Sequence, residues 1–406
     1  MAGGTDPQAG PAPGSRRALV ALCVTVTTSY GVLLYAFPVL APAISADTGW
    51  SPATVTAAYS AAQVVSALAQ AGVGRWLERA GPRAVMTAAA ALAVPAVAGI
   101  ALAPGLPAFF LAWLAAGAAT SGLFYPPAFA ALTAWFGSGR VRALTALTLA
   151  AGLSSTVFAP LTAALEAALG WRGAYGVLAL VLLCVVLPLH ALALTPPWRG
   201  GAGGAAGAGR AVALRRVVAD RAFLALTAAL TLGAFGVYAV VVNIVPLLQE
   251  RGFGTTVAAW ALGIGGIGQV LGRLAYAPLE RRAGVVGRAV AVLAACAATT
   301  ALLAAVPGPL ALVLAVSLLA GVARGIFTLL QATAVADRWG TARYAALNGI
   351  LHSPLMLAIA LAPWAGAALA GALGGYPAMF AVLAAIGAAG ALLAPLTRPA
   401  DPERPA

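Results

Sequence analysis

Leu318-Leu319-Ala320-Gly321-Val322-Ala323-Arg324-Gly325-Ile326-Phe327-Thr328 sets one guanidinium inside an otherwise apolar run. The run extends from about Pro309 to Ala336, and a bilayer is crossed by ~20 residues of helix. Arg324 therefore lies about fifteen residues from one end and twelve from the other, roughly 22 and 18 Å at 1.5 Å per residue, near the midplane. A charge at that depth costs at least about 2.5–3.5 kcal/mol, so it has to face protein or water and find a partner. One reading makes Arg324 a structural residue bonded to backbone carbonyls; the other makes it the anion-binding group of a hydrated cavity.

The acids decide between them. Asp6, Asp47, Glu78, Glu166, Asp220, Glu250, Glu280, Asp337, Asp401 and Glu403 are the ten carboxylates of the chain. Each falls in a terminus, in a loop or at the end of an apolar run, so none is placed to neutralise Arg324 at mid-membrane depth. An anion from outside the chain is the economical partner.

Composition agrees with a membrane setting. Hydrophobic residues make up 62% of the 406 and charged residues 8%, with a mean hydropathy of +0.96. Soluble domains carry about a quarter charged residues, so the class that fits is an all-α polytopic membrane protein. The net charge of +13 comes with no Lys, every base being Arg. Abundant Ala, Gly, Pro and Arg point to a GC-rich, bacterial genome. Cys23, Cys184 and Cys296 sit in three different apolar runs, which implies no disulfide framework. Arg16-Arg17 lead into an apolar stretch too long for a signal-peptide core, which reads as an uncleaved first span.

Apolar runs of spanning length fall near 18–44, 53–75, 84–103, 108–135, 142–165, 173–195, 221–249, 255–278, 288–306, 309–336, 343–370 and 376–397. Twelve transmembrane helices follow, with both termini on one side. With those termini cytoplasmic, nineteen of the twenty-three Arg residues lie in inner segments. Arg172 and Arg251 alone fall outside, and Arg273 and Arg324 lie within spans. Such a bias fixes the orientation expected in a cell membrane, and the basic face meets anionic lipid rather than nucleic acid.

The expected divisions are a tail (1–17), a six-helix half (18–195), a linker (196–220), a second half (221–397) and a tail (398–406). The linker holds Gly200-Gly201-Ala202-Gly203-Gly204, a flexible composition. The halves echo each other at an offset of 203 residues. Phe136-Gly137-Ser138-Gly139-Arg140 meets Trp339-Gly340-Thr341-Ala342-Arg343, Ala159-Pro160 meets Ala362-Pro363, Tyr35 meets Tyr238, and Arg79 and Gly81 meet Arg282 and Gly284. Two pseudo-symmetric halves with a site at their interface are a transporter architecture.

Gly74-Arg75-Trp76-Leu77-Glu78-Arg79-Ala80-Gly81-Pro82-Arg83 follows the second span. It resembles the loop 2–3 signature of the major facilitator superfamily, Gly-x-x-x-Asp/Glu-Arg/Lys-x-Gly-x-Arg/Lys. In this reading Gly74 allows close helix approach, Gly81 allows a tight turn, and Glu78, Arg79 and Arg83 form a cytoplasmic gate. Pro278-Leu279-Glu280-Arg281-Arg282-Ala283-Gly284 is its worn copy, with Arg281 where Glu78 stands.

Within that superfamily the chain looks most like the oxalate–formate and monocarboxylate porter branch. The resemblance rests on Ser29-Tyr30-Gly31 with Phe37-Pro38, Thr48-Gly49-Trp50-Ser51, Gly170-Trp171-Arg172-Gly173 and Gly268-Gln269-Val270-Leu271-Gly272-Arg273. It implies a substrate-binding Arg at Arg273. Two departures stand out: there is no Lys to pair with it, and Gln269 replaces an acid one turn earlier. A drug exporter of the same superfamily is the rival. Trp113 occupies the place of that group's span-four Arg, and Ala159-Pro160 lacks its paired Gly. A receptor or enzyme is the alternative outside the class. No metal-ligand cluster or phosphate-binding Gly loop supports it, and no cofactor is expected.

The candidate substrate site thus comprises Arg324, Arg273, Gln269, Asn348, His352, Tyr35, Tyr238 and Asn243, with Gln63 and Tyr125 as further polar groups within spans. Asn348 and His352 share a face one turn apart, and His352 is the titratable group for proton coupling. His190 is expected near the inner surface, in contact with water. Tyr125-Pro126-Pro127 should kink span four. The chain reads as a monomeric secondary transporter of a small organic anion, since Arg offers a bidentate fork to a carboxylate.

Overall fold

The computed structural model of the protein describes residues 12–198, 217–340 and 344–398, with only the backbone of 138 and 344–346. The expected linker's 199–216 and the tail segments 1–11 and 399–406 lie outside the described residues, as do Arg199, Arg210, Arg215, Arg216, Arg343 and Arg404. Among the described residues all regular structure is helical. In chain order the long helices are α1 (Ser15–Thr48), α2 (Pro52–Leu102), α3 (Leu106–Phe136), α4 (Arg140–Ala193), α5 (Arg221–Glu250), α6 (Thr255–Arg282), α7 (Val285–Ala305), α8 (Leu310–Trp339), α9 (Tyr344–Leu373) and α10 (Tyr376–Thr397).

These ten are each long and apolar enough to cross a membrane. Two of them are long enough for two crossings. α2 and α4, at 51 and 54 residues, would run roughly 75–80 Å if straight, more than twice a hydrocarbon core of ~30 Å. Each breaks at a glycine with left-handed φ, Gly81 (78°) and Gly170 (67°), a conformation that side chains with a Cβ resist. Counted that way the helices are consistent with the twelve spans of the major facilitator fold. The expected break in span four is present, one residue ahead of its place. Phe124 leaves the helix with ψ −163°, because Pro126 and Pro127 have no N–H with which to continue the ladder to Gly122 and Leu123.

The chain forms two compact units, Met1–Ala202 and Gly203–Ala406. In the first, Trp113 lies fully packed within an aromatic cluster. It meets Phe37 and Tyr59 edge-on, at 5.2 Å in both cases, while those two rings stack on each other at 4.3 Å. The position that the exporter resemblance would align with an Arg is here packed among aromatic rings.

The repeat is visible in the backbone. Gly49 and Gly252 both have left-handed φ, 73° and 87°, and end α1 and α5; Gly137 and Gly340, at 49° and 71°, end α3 and α8. Both pairs are separated by 203 residues. Pro160 and Pro363 stand inside α4 and α9 at the same offset. Gly81 and Gly284 do not match: Gly284 has φ −62° and simply precedes α7.

Candidate functional site

The site in the second unit is set by a seam of glycines. α6 and α8 run parallel and in register, so closely that side chains have no room. A Cβ on Gly321 would lie 2.1 Å from Gly265 O, and one on Gly325 2.1 Å from Gln269 O. From the other side, a Cβ on Gly268 would meet Leu318 O at 2.1 Å and one on Gly272 would meet Val322 O at 2.2 Å. Small residues at four-residue spacing are how helices approach this closely in lipid.

Arg324 emerges beside that seam, 14 residues after the start of α8 and 15 before its end. Helical side chains lean towards the N-terminus, and this one reaches back to the level of Gly265. Its Nη2 donates to Gly265 O at 3.5 Å, at the weak limit for such a bond. Its Nε is shut off from solvent without a hydrogen-bond partner. Among the described residues no carboxylate forms an ion pair with it.

The guanidinium lines a cavity of about 40 Å³ shared by α5, α6, α7 and α8, with Cys296, Thr299, Thr300 and Ser317 on its wall. A water needs ~10–15 Å³ of such space, so the cavity holds roughly three or four waters, or a carboxylate head. The hydroxyl protons on the wall are engaged elsewhere. Thr300 donates to Cys296 O at 2.8 Å, Ser317 to Val313 O at 2.9 Å and Thr299 to Ala295 O at 2.8 Å. Among these side chains Arg324 is left as the strong donor facing the space.

The other expected site residues do not line this cavity. Gly265 and Arg273 are eight residues, about 12 Å, apart along α6, and Arg273 is not among the residues that line the Arg324 cavity. Arg273 is half-buried and is engaged in an interaction of its own. Gln269 is buried beneath the seam. Asn243 is buried in α5, its Nδ2 donating to Ala239 O at 2.8 Å. Tyr35 is buried at the end of a π-helical turn, Gly31–Tyr35. Tyr238 packs half-buried beside the core of the second unit. His352 and Asn348 do share a face of α9, with His352 Nδ1 2.9 Å from Asn348 O. Gln63 donates to the Tyr59 hydroxyl at 2.9 Å.

His190 is a correction. Instead of meeting water it is wholly buried, with Nδ1 3.1 Å from Met86 O, because α4 packs that turn against the second leg of α2.

The loop 2–3 segment folds partly as its sequence implied. Gly81 makes the tight turn, and its missing side chain admits the Trp198 ring, which a Cβ would approach to 3.0 Å. Trp198 Nε1 donates to Glu78 O at 3.2 Å, and Arg83 Nε donates to Ala191 O at 2.8 Å. Gly74 does not have the close neighbour expected of it, since a Cβ there would meet nothing within 4 Å. Glu78 and Arg79 are exposed and, among the described residues, form no ion pair.

The corresponding end of the second unit is charged and closed. Arg288, 3% exposed, pairs with Asp337 and with Glu280 at 3.5 Å, and lies over the Tyr276 ring at 5.4 Å.

Sequence reasoning missed two clasps at the opposite ends of the helices. Asp47, at the end of α1, accepts from Trp171 Nε1 at 2.9 Å and pairs with Arg172, which itself stacks on Trp171. Glu250, 203 residues later at the end of α5, accepts from the Tyr376 backbone N–H at 2.8 Å. The neighbouring Arg251 donates to Ala304 O and Val306 O at 2.6 and 2.7 Å, and burial pulls its guanidinium below its usual pKa. The signal was present: Gly170-Trp171-Arg172-Gly173 stands out in the sequence, Asp47 directly precedes Thr48-Gly49-Trp50-Ser51, and the acids share the repeat offset.

Helices consistent with twelve crossings, an internal repeat and a half-buried arginine that pairs with no carboxylate among the described residues are the features of a polytopic carrier. The family model of the Major Facilitator Superfamily matches residues 19–332, and the chain belongs to that superfamily; it is a transporter, not an enzyme. It is 30% identical over 321 residues to an uncharacterized 38 kDa protein in the 23S RNA operon of Thermoproteus tenax, covering 79% of each chain. Its fold is similar to crystal structures of a bacterial homolog to the human lysosomal transporter Spinster in an inward-facing conformation. The unoccupied form matches with a TM-score of 0.70 at 17% identity over 95% of each chain. The occupied form matches with a TM-score of 0.69 at 15% identity, over 96% of this chain and 95% of that one.

Proposed function

We propose that the protein moves a small organic anion across the membrane by alternating access, with Arg324 receiving the anion's carboxylate. The observation that carries this is the unmet valence of Arg324. A half-buried guanidinium holds one marginal hydrogen bond, a sealed Nε and no acid among the described residues, and it lines a small cavity. Leaving a charge so placed without a counter-charge is costly, and a carboxylate supplies two acceptors for its fork. The cavity takes a head group rather than a whole dicarboxylate. The oxalate–formate and monocarboxylate resemblance points the same way, and in that reading His352 is the proton-coupling group.

The test is uptake or exchange across a panel of anions and cations in proteoliposomes, for wild type, Arg324→Lys and Arg324→Gln at equal abundance. Lys keeps the charge and loses the planar fork, so anion preference should persist with weaker binding. Gln should lose anion transport by at least tenfold while remaining monodisperse in detergent. Wild-type transport restricted to cations, or a Gln variant as active on anions as wild type, overturns the reading.

A further inference from the structure

A second ligand site lies away from Arg324, on the first unit. Between α2, from its break at Gly81 onward, and the end of α4 runs a groove of about 490 Å³, lined by Arg83, Ala84, Thr87, Ala88, Ala91 and Ala191, with Ala80 just ahead of the break. It has roughly twelve times the volume of the Arg324 cavity and falls within the ~300–1,000 Å³ range of sites for small organic ligands. Residues 84, 87, 88 and 91 share one helix face at the i, i+3, i+4, i+7 spacing. The groove therefore descends from Arg83 along the apolar leg for eight residues, about 12 Å.

Its polar groups are few and ordered. Arg83 is exposed at the mouth, its Nε anchored to Ala191 O at 2.8 Å. Among the described residues its two Nη groups have no partner, so the fork faces outward, held by its own Nε bond. One turn deeper the Thr87 hydroxyl is shut off from solvent and makes no hydrogen bond. Below it the wall is alanine methyls. A cation at the Arg-rich end, an unspent hydroxyl one turn in and an apolar floor match, in order, the phosphate, ester and acyl chain of a phospholipid. A free inorganic anion would use the first of these alone. We propose that this groove binds an anionic glycerophospholipid, its phosphate on Arg83, an ester oxygen on the Thr87 hydroxyl once a χ1 rotation turns it into the groove, and a chain along Ala84, Ala88 and Ala91.

Native mass spectrometry of the full chain, released from vesicles holding equal phosphatidylglycerol and phosphatidylcholine, tests this. Wild type should retain phosphatidylglycerol at least fivefold over phosphatidylcholine. Arg83→Gln should remove that preference, and Thr87→Val should lower retention about twofold. Ala88→Phe, which fills the floor and leaves Arg83 untouched, should lower retention at least fivefold. Arg17→Gln, an exposed arginine at the start of α1, should leave it unchanged. The proposal fails if Arg83→Gln or Ala88→Phe retains lipid like wild type. Equal retention of the two lipids by wild type, or loss with Arg17→Gln as large as with Arg83→Gln, overturns it as well.

Discussion

Arg324 and Arg288 belong to one unit and show how differently a buried guanidinium is treated. Arg288 is closed in by Glu280, Asp337 and the Tyr276 ring, whereas Arg324 faces a cavity with its valence unspent. Removing one member of a buried ion pair strands the others and costs about 3–5 kcal/mol. Arg288→Gln should therefore lower the thermal unfolding midpoint in detergent sharply, while Asp47→Asn, which opens an exposed pair, should move it little. Equal shifts for the two would show that Arg288 is not structural. The identity of Arg324 was legible from one stretch and ten acids, since depth and charge suffice to single it out. That Arg273 lies outside the Arg324 cavity was not, because spacing along two helices says nothing of their relative register. His190 was misjudged for a related reason: its depth along the span was legible, but not which face α2 covers.

At the scale of the element, the α6–α8 seam determines what the site can be. The stretches that draw attention to Arg273 and Arg324 also contain Gly268, Gly272, Gly321 and Gly325, so the seam was in view, attached to its neighbours' chemistry. Putting a methyl at Gly321 or Gly325 places it about 2.1 Å from a carbonyl oxygen, which backbone cannot yield easily. Gly321→Ala and Gly325→Ala should each cost about 1–3 kcal/mol as overpacking and displace Arg324 with the helix. Gly72, inside α2 with open space around it, should behave oppositely, Ala gaining about 0.5–1 kcal/mol from helix propensity. Thermal unfolding of the three variants separates these signs. Stability unchanged at Gly321 and Gly325 would mean that the seam has slack. Helix breaks were legible where Gly or Pro marked them, as at Phe124, but Gly170 was not foreseen as the divider between crossings.

For the whole molecule, an internal repeat and a span count with which the helices are consistent followed from a fixed offset and apolar run length, because bilayer thickness leaves a helix few choices. The orientation rests on arginine distribution and has a direct test. A reporter fused after Arg398 should read cytoplasmic, and one inserted near Ala46 should read external; an external C-terminus would invert the map. The repeat also reaches features that composition hides, such as the paired turns at Gly49 and Gly252. The two clasps at Asp47 and Glu250 bear differently on how the sequence can drift. Asp47 grips side chains, so its partners Trp171 and Arg172 must change together or not at all. Glu250 grips the main-chain N–H of residue 376, which every amino acid but proline provides. As far as that grip is concerned, the first copy ties three codons together, while the second leaves position 376 free to wander.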